Sequence, residues 1–374
     1  MDKVRLTRQL KEKSRELGFS LVGVTNPNAP THLDIYKNWL DLGRHGEMHY
    51  LETRRAIERR EDPKRILPEC KSILVLGIPY DNPTNRAKPK AGEGRIAAYA
   101  WGQDYHEELG PRLKAIVEHA EGLAGHSIPN RWYADSGPLL ERELAQRAGL
   151  GWIGKNTMLI NPEKGSYFLL AEILLGIELE FDDPITVDHC GSCRRCIDAC
   201  PTDCILEDRT LDATRCISYL TIKLTGPIPE DLRPRMGDWI FGCDICQMEC
   251  PWNERFAEPN GDPVFTRSEP AVLSNEVKLS TSEFNKKFKT SPVKRSKRRG
   301  YLRNAGVALG NTIQNASIQA LSNALGDKEA LVRGHAAWAL GQLKENSAKQ
   351  ELEKAIGKEN DPWVLKEIQN ALNP

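Results

Sequence analysis

Between His189 and Asn253 the chain places nine of its ten cysteines, eight of them in a spacing that suits metal ligands. The first run, Cys190, Cys193, Cys196 and Cys200 followed by Pro201, has the C-x2-C-x2-C-x3-C-P spacing of bacterial two-cluster ferredoxins. Three thiolates at turn spacing wrap three corners of one iron–sulfur cube, and the fourth reaches the neighbouring cube. The second run is stretched: Cys216 stands alone, and Cys243, Cys246 and Cys250 with Pro251 follow after a long insert. The crossed reading puts Cys190, Cys193, Cys196 and Cys250 on one 4Fe–4S cluster, and Cys200, Cys216, Cys243 and Cys246 on the other. Two zinc sites are the rival, since zinc also uses C-x2-C pairs; zinc gives no reason for a third C-x2 step followed by C-x3-C-P. The two remaining cysteines read as buried packing residues, Cys204 under a cluster and Cys70 at a strand edge.

Length and charge bound the rest. The chain has 374 residues, enough for two or three domains, and a formal net charge of +0, so any charged partner must be met by local patches. The N-terminal stretch MDKVRLTRQLKEKSRELGFS is charged and lacks the apolar core of a secretory signal. No apolar run is long enough to span a bilayer. Clustered cysteines in ligand spacing, without an export signal, point to a reducing cytoplasm.

The elements that must position these cysteines read as α+β. Residues 1 to about 180 mix helices and strands. Val4, Leu6, Leu10 and Leu17 mark an opening helix stopped by Gly18; Phe19–Val24 and Ile73–Ile78 are short apolar strands. Leu113–Ala124 and Leu139–Ala148 have helical pattern, the second with Pro138 suited to its first turn and Gly149 to its C-cap. Tyr167–Leu179 is a long apolar run expected as a central strand. Gly149, Gly151 and Gly154 spell G-x-G-x-x-G, and with Lys155 also G-x4-G-K. Both phosphate-binding motifs need a strand before and a helix after. Here a helix precedes and a strand follows, so a tight turn is the better reading.

Residues 181–260 form the cluster segment, 261–300 a basic linker, and 301–374 helical repeats. Ala308-Leu309-Gly310 returns as Ala339-Leu340-Gly341, and Ala-Leu again at Ala371-Leu372, a period of roughly thirty residues that suits HEAT-like units. The basic run includes Lys286, Lys287, Lys289, Lys294, Arg295, Lys297, Arg298 and Arg299, with Arg303 just beyond and Phe288 and Tyr301 among them. In a neutral protein that asymmetry points to a polyanion.

With these parts placed, the chain resembles the epoxyqueuosine reductases, cobalamin-dependent iron–sulfur enzymes of tRNA modification. The stretches that carry the resemblance are Tyr99-Ala-Trp-Gly-Gln-Asp-Tyr-His106, Tyr133-Ala-Asp-Ser-Gly-Pro-Leu-Leu-Glu-Arg142, Ala148-Gly-Leu-Gly-Trp-Ile-Gly-Lys-Asn156, the cysteine runs ending in Cys250-Pro-Trp-Asn253, and Arg303-Asn-Ala. The resemblance implies a flavin-reductase-like cobalamin-binding domain, a ferredoxin-like two-cluster domain and a HEAT-like repeat domain. It implies removal of the epoxide oxygen of epoxyqueuosine at the tRNA wobble position, with electrons relayed through two 4Fe–4S clusters to cobalamin. The D-x-H-x-x-G signature of many cobalamin proteins is missing, which fits a family that binds the cofactor without that histidine.

The same resemblance assigns roles. Asp135 is the family's position for the proton donor; its competing reading is a helix cap ahead of Pro138. Tyr99, Tyr105 and His106 are implied as substrate or corrin contacts. Arg142 either pairs with Glu141 or Glu143 or meets the corrin. Lys155 and Asn156 could bond its amide rim or form a solvated turn, and Arg60 is a further cofactor contact. Ser218 and Tyr219 lie in the insert Ile217–Gly242, expected to help close the cofactor pocket. Lys294, Arg295, Lys297, Arg298, Arg299 and Arg303 are the expected tRNA contacts. The other functions weighed are a reductive dehalogenase, which would carry an export signal, and a plain electron-transfer module, which has no use for the N-terminal domain. A separate reductant is required, and no dimer seam is visible, so a monomer is expected.

Overall fold

The computed structural model describes residues 2–82, 90–258, 260–266, 270–312 and 317–373. Its N-terminal half is built on a four-stranded, wholly antiparallel sheet ordered Leu21–Thr25, Ser72–Pro79, Phe168–Leu175, Asn130–Tyr133. The two central strands are apolar on both faces because both faces are covered. On one face Leu74, Leu76, Ile78, Ala171 and Ile173 pack against the helices Lys3–Glu16 and Tyr105–Ala124. On the other, Ile73, Val75 and Leu174 pack against the shorter helix Glu141–Arg147.

Several sequence expectations shift at their edges. The helix expected from Leu113 begins at Tyr105, where Asp104 caps it by accepting from the His106 N–H; Gly110 and Pro111 inside it hid the first two turns from a periodicity reading. The helix expected from Leu139 begins at Glu141, and Pro138 stays outside in the preceding loop. Gly149 does close it, with φ +74. The glycine-rich stretch that follows is a two-stranded hairpin, Trp152–Ile153 paired with Leu159–Ile160. A Cβ on Gly151 would lie 2.3 Å from the Ile160 carbonyl oxygen, so the glycine permits close backbone approach.

The described residues of the stretch 261–300, read as a linker, are folded. They supply the strand Ala271–Val272, the helices Leu273–Glu276 and Thr281–Lys287, and the tight turn Pro292–Ser296. Ala271–Val272 joins a small three-stranded sheet with Glu93–Ile96 at its centre and Trp239–Phe241 on the other side. Each strand therefore comes from a different part of the chain.

Among the described residues of the C-terminal part are the helices Lys297–Thr312, Ile318–Ala324, Ala330–Leu343, Asn346–Ile356 and Pro362–Leu372. The Ala-Leu-Gly repeat has a packing cause. A Cβ on Gly310 would lie 2.8 Å from the Trp338 ring, and one on Gly341 would lie 2.9 Å from the Ala371 Cα. Glycine lets these helices close to contact. A buried two-pronged ion pair, Arg233 to Glu367 at 2.7 Å on both arms, ties the repeats to the cysteine segment. No helix among the described residues is long and apolar enough to cross a membrane.

Candidate functional site

The cysteine segment brings together what its spacing expected. Cys190, Cys193, Cys196 and Cys250 line one cavity with Lys155, Asn156, Ile160, His189, Pro251 and Trp252. Cys216, Cys243 and Cys246 neighbour one another, with Cys200 beside Cys246 and Cys216. Four soft thiolates around each of two centres is the donor set of 4Fe–4S clusters. Cys204 is buried as expected, and its Sγ lies 3.4 Å from that of Cys200. The backbone N–H groups of Ser218 and Tyr219 face the Cys216 sulfur.

Polar side chains hold these loops in place. Lys155 Nζ donates to the carbonyls of Gly191 and Cys193 at 2.7 and 2.9 Å, and Asn156 Nδ2 donates to that of Cys246 at 3.3 Å. Both residues therefore grip cysteine loops, one from each run, rather than standing open as a rim. Asn253, buried, accepts from the Ser166 N–H at 2.6 Å and donates to the Gln247 carbonyl at 2.7 Å. Asp244 accepts from the Ala98 N–H at 2.7 Å, which fixes the turn carrying Tyr99 against the second cysteine run.

A second constellation forms where the helix Tyr105–Ala124 begins. Asp135 follows the edge strand Asn130–Tyr133 with φ +58, a left-handed conformation that Asp tolerates better than most residues. Its carboxylate caps no helix: it accepts from the Tyr105 hydroxyl at 2.5 Å, and the helix Glu141–Arg147 has Leu140 at its N-cap position with no side-chain cap. His106 Nε2 and Arg295 both stand 3.8 Å from Asp135 Oδ2. His106 Nδ1 lies 2.7 Å from the Asp104 carboxylate, while its Nε2 meets the guanidinium of Arg295. Arg can only donate, so a ring nitrogen of His106 that bonds Arg295 must accept from it. Burial first, and the Asp135 charge second, push the Tyr105 phenol far above its ordinary value, as they do for Tyr99, whose ring meets that of Tyr105 at 6.2 Å. Tyr105 is thus a neutral donor at any working pH.

The basic residues divide. Lys294, Lys297 and Arg299 are exposed. Arg295 turns into the constellation just described. Arg298 is committed to Asp327 and to the Leu279 carbonyl, the latter at 2.7 Å. Arg303 is 1 % exposed. It donates to the carbonyls of Leu220, Leu224 and Gly226, the first two at 2.5 and 2.9 Å, so it closes the C-terminal end of the helix Ile217–Ile222. Burial pulls its guanidinium down to about 9. Arg298 and Arg303 are therefore structural rather than phosphate-facing. Phe288 and Tyr301 are also buried, ring against ring at 4.9 Å.

Arg60 is buried with its guanidinium 5.3 Å over the Tyr36 ring, bonded to the Ala56 carbonyl, and so belongs to the wall. Arg142 is exposed and, like the Ser218 hydroxyl, makes no hydrogen bond among the described residues; of its two expected partners Glu143 is taken by Thr31 and His32, while Glu141 feels the Arg142 charge. Tyr219 accepts from the Glu47 N–H at 2.8 Å, which anchors the insert to the N-terminal domain. Sequence reasoning did not single out Asp104 or Glu172, nor the contact of Arg295 with His106; only the Asp-x-His spacing of Asp104 and His106 was a usable signal.

Comparison with known proteins agrees with this geometry. Residues 189–253 match the 4Fe–4S double cluster binding domain, 60–136 the domain described as epoxyqueuosine reductase QueG, DUF1730, and 295–373 the HEAT repeats. The epoxyqueuosine reductase of Pseudomonas aeruginosa is 38 % identical over 91 % of this chain and 95 % of its own; that of Escherichia coli K12 is 38 % identical over 91 % and 90 %. A crystal structure of an epoxyqueuosine reductase with an epoxyqueuosine-modified tRNA-Tyr stem loop superposes with TM-score 0.89 at 32 % identity, covering 99 % of this chain and 98 % of that one. A Bacillus subtilis epoxyqueuosine reductase, solved with its catalytic Asp loop swung out of the active site, superposes with TM-score 0.87 at 31 % identity over 99 % and 98 %. Two cysteine-lined centres, the Asp135 constellation and near-complete coverage of these relatives lead to one conclusion: the chain belongs to the epoxyqueuosine reductase family.

Proposed function

We propose that the protein reduces epoxyqueuosine to queuosine at the wobble position of tRNA in the cytoplasm. The epoxide takes up two electrons and two protons, its C–O bonds break, an alkene forms and water leaves. The observation that carries this reading is the Tyr105–Asp135 contact at 2.5 Å in a site bolted to the second cysteine run through Ala98 and Asp244.

Cys190, Cys193, Cys196 and Cys250 would hold one cluster, and Cys200, Cys216, Cys243 and Cys246 the other. Arg142 and Ser218 offer uncommitted donors of the kind an amide-rimmed corrin needs, with Tyr99 and Tyr105 as an apolar wall. When bound, the clusters would supply single electrons at low potential, and cobalamin the centre at which two of them are gathered.

The chain's own residues do the rest. Asp135 carries the proton for the departing oxygen, because an alkoxide is a poor leaving group near neutral pH. Tyr105 orients that carboxyl, and Arg295 and His106 set the field around it. Lys294, Lys297 and Arg299 face the tRNA backbone, and the target nucleoside reaches Asp135 splayed out of its loop.

Nucleoside mass spectrometry on a modified stem loop tests the reading. Reconstituted protein converts epoxyqueuosine; Asp135→Asn keeps the cluster and cobalamin absorption and loses conversion. Conversion retained by Asp135→Asn sinks the assignment.

A further inference from the structure

Just after the helix Leu33–Asp41, a run of turns gathers three metal-binding side chains that neither the cysteine centres nor the Asp135 constellation uses. Gly43 and Gly46, both at positive φ, turn the chain on either side of His45. The short turn His49–Leu51 then brings His49 and Glu52 to the same ring. His45 Nε2 lies 3.2 Å from one carboxyl oxygen of Glu52, and His49 Nδ1 lies 2.8 Å from the other. One ligand atom from each of the three falls within 4.8 Å of the others.

These donors suit a borderline divalent cation. Two imidazole nitrogens with a carboxylate oxygen are a zinc donor set, and the His-x3-His-x2-Glu spacing supplies all three from one short stretch. Tetrahedral bonds of about 2.0–2.2 Å place neighbouring donors about 3.4 Å apart, close to the two separations at Glu52. The imidazole pair closes to that spacing by rotation of His49, which is exposed. Glu52 is an anion at neutral pH, because the His49 contact above all holds its carboxyl below its ordinary value. His45 is 5 % exposed, its ring 6.0 Å from that of Trp39, and its Nδ1 has no hydrogen-bond partner among the described residues. No chain atom claims Nδ1, so the ring proton can sit there and leave the Nε2 lone pair to an ion. One imidazole would suffice for an ion pair; a second on the other oxygen makes three corners of a coordination shell. Glu52 is exposed like His49, so water can take the fourth.

We propose that His45, His49 and Glu52 bind one zinc-type divalent cation, with water as the fourth ligand, and that the ion locks this turn onto the cysteine insert. The turn already leans on that insert. A Cβ on Gly46 would stand 2.4 Å from the Tyr219 phenol oxygen, so the glycine lies flat against it. The Glu47 N–H donates to the same oxygen at 2.8 Å, and the Glu47 carboxylate accepts from the Thr225 N–H at 2.7 Å. On the other side of Cys216, the Ala213 N–H donates to the Arg44 carbonyl at 3.0 Å. An ion joining His45 to His49 and Glu52 would stiffen the turn that grips the chain on both sides of a cluster ligand. Its role is structural, and no bond or electron of the reaction passes through it.

Equilibrium dialysis of the reconstituted enzyme against zinc, with zinc and iron counted by mass spectrometry, tests this. Filled clusters occupy the ligand cysteines, and the iron count verifies them. Wild type should retain a single zinc per chain beyond the clusters. X-ray absorption at the zinc edge should show nitrogen and oxygen neighbours at about 2.0–2.2 Å and no sulfur shell at about 2.3 Å. Losing an outer-shell partner costs a metal site about 10–100-fold in affinity, so His49→Ala and Glu52→Gln, which remove ligands, should each cost at least that. Hydrogen exchange across residues 44–52 and 217–225 should slow on adding zinc to wild type and stay unaltered in both variants. If one variant fails to fold, the other carries the same readouts. No added zinc, a sulfur shell, or zinc affinity unaltered in the variants overturns the site. Zinc that binds without slowing exchange overturns the lock.

Discussion

Tyr105 donates its phenolic hydrogen to Oδ2 of Asp135 across 2.5 Å. The two arrive from different elements, one opening the helix Tyr105–Ala124 and the other in the loop after the edge strand Asn130–Tyr133. A hydrogen bond to a group that changes charge is worth about 1.5–3 kcal/mol. Tyr105→Phe should therefore slow turnover by roughly ten- to a hundredfold and leave stem-loop affinity unaltered. Equal turnover by mutant and wild type in single-turnover assays would show that the contact is only structural.

Arg295 separates from its basic neighbours. Replacing Lys294, Lys297 and Arg299 together by Ala should weaken tRNA binding and flatten the log affinity against log salt plot by up to about three contacts' worth. Arg295→Ala should act on kcat instead, since its guanidinium sits at His106 and Asp135. Filter binding across a salt series reads the first effect, and turnover at saturating stem loop the second.

Arg303→Ala tests a structural role. It strands three carbonyls, those of Leu220, Leu224 and Gly226. Each unsatisfied buried acceptor costs about 1–3 kcal/mol, so denaturation should shift by several kcal/mol in total. Binding per folded molecule should not change, which urea titration followed by binding on the folded fraction would reveal.

Lys155→Ala removes the clamp on the Gly191 and Cys193 carbonyls. The expected result is a looser first cysteine loop, lower iron per chain after reconstitution and faster bleaching in air. Iron content matching wild type would count against it.

Stability should report one buried carboxyl through pH. Glu172, on the central strand, is fully buried, and neither of its carboxyl oxygens has a hydrogen-bond partner among the described residues. Burial gives it a folded-state value above its unfolded one, so the folded state holds more protons across the interval between them. Stability contributed by this group is then present at acid pH and declines as pH rises above the ordinary carboxyl range. Glu172→Gln removes the penalty. It should gain stability over wild type at pH 8 and lose that advantage towards pH 5, as measured by chemical denaturation at both.

What the sequence disclosed follows from how local each signal is. Turn spacing is local, so the run Cys190 to Cys200 announced its chemistry, and Cys250 joins the cavity it was expected to share. The sheet strands were legible because two covered faces leave an unbroken apolar run. Charge was not legible. Lys294 and Arg303 look alike in a list of cations, yet one is exposed and the other fills the end of a helix reached through the insert. Nothing in the residues around Glu172 announces that a strand of leucines will bury a carboxyl without a partner. Arg295 reaches His106 only because 261–300 folds back on the N-terminal domain, a tertiary fact with no periodicity to betray it.

The small sheet of Glu93–Ile96, Trp239–Phe241 and Ala271–Val272 has a bearing on electron delivery. Tyr99 lies three residues past one strand and Cys243 two past its parallel neighbour, so a shared hydrogen-bond ladder sets the gap between site and redox segment. Tunnelling rates fall steeply with separation. A hinge between modules would make the current flicker with every domain motion; a common ladder holds it steady. Cutting the chain near residue 260 would take away the third strand and with it the clamp on that gap, so the redox half cannot be exchanged like a cartridge.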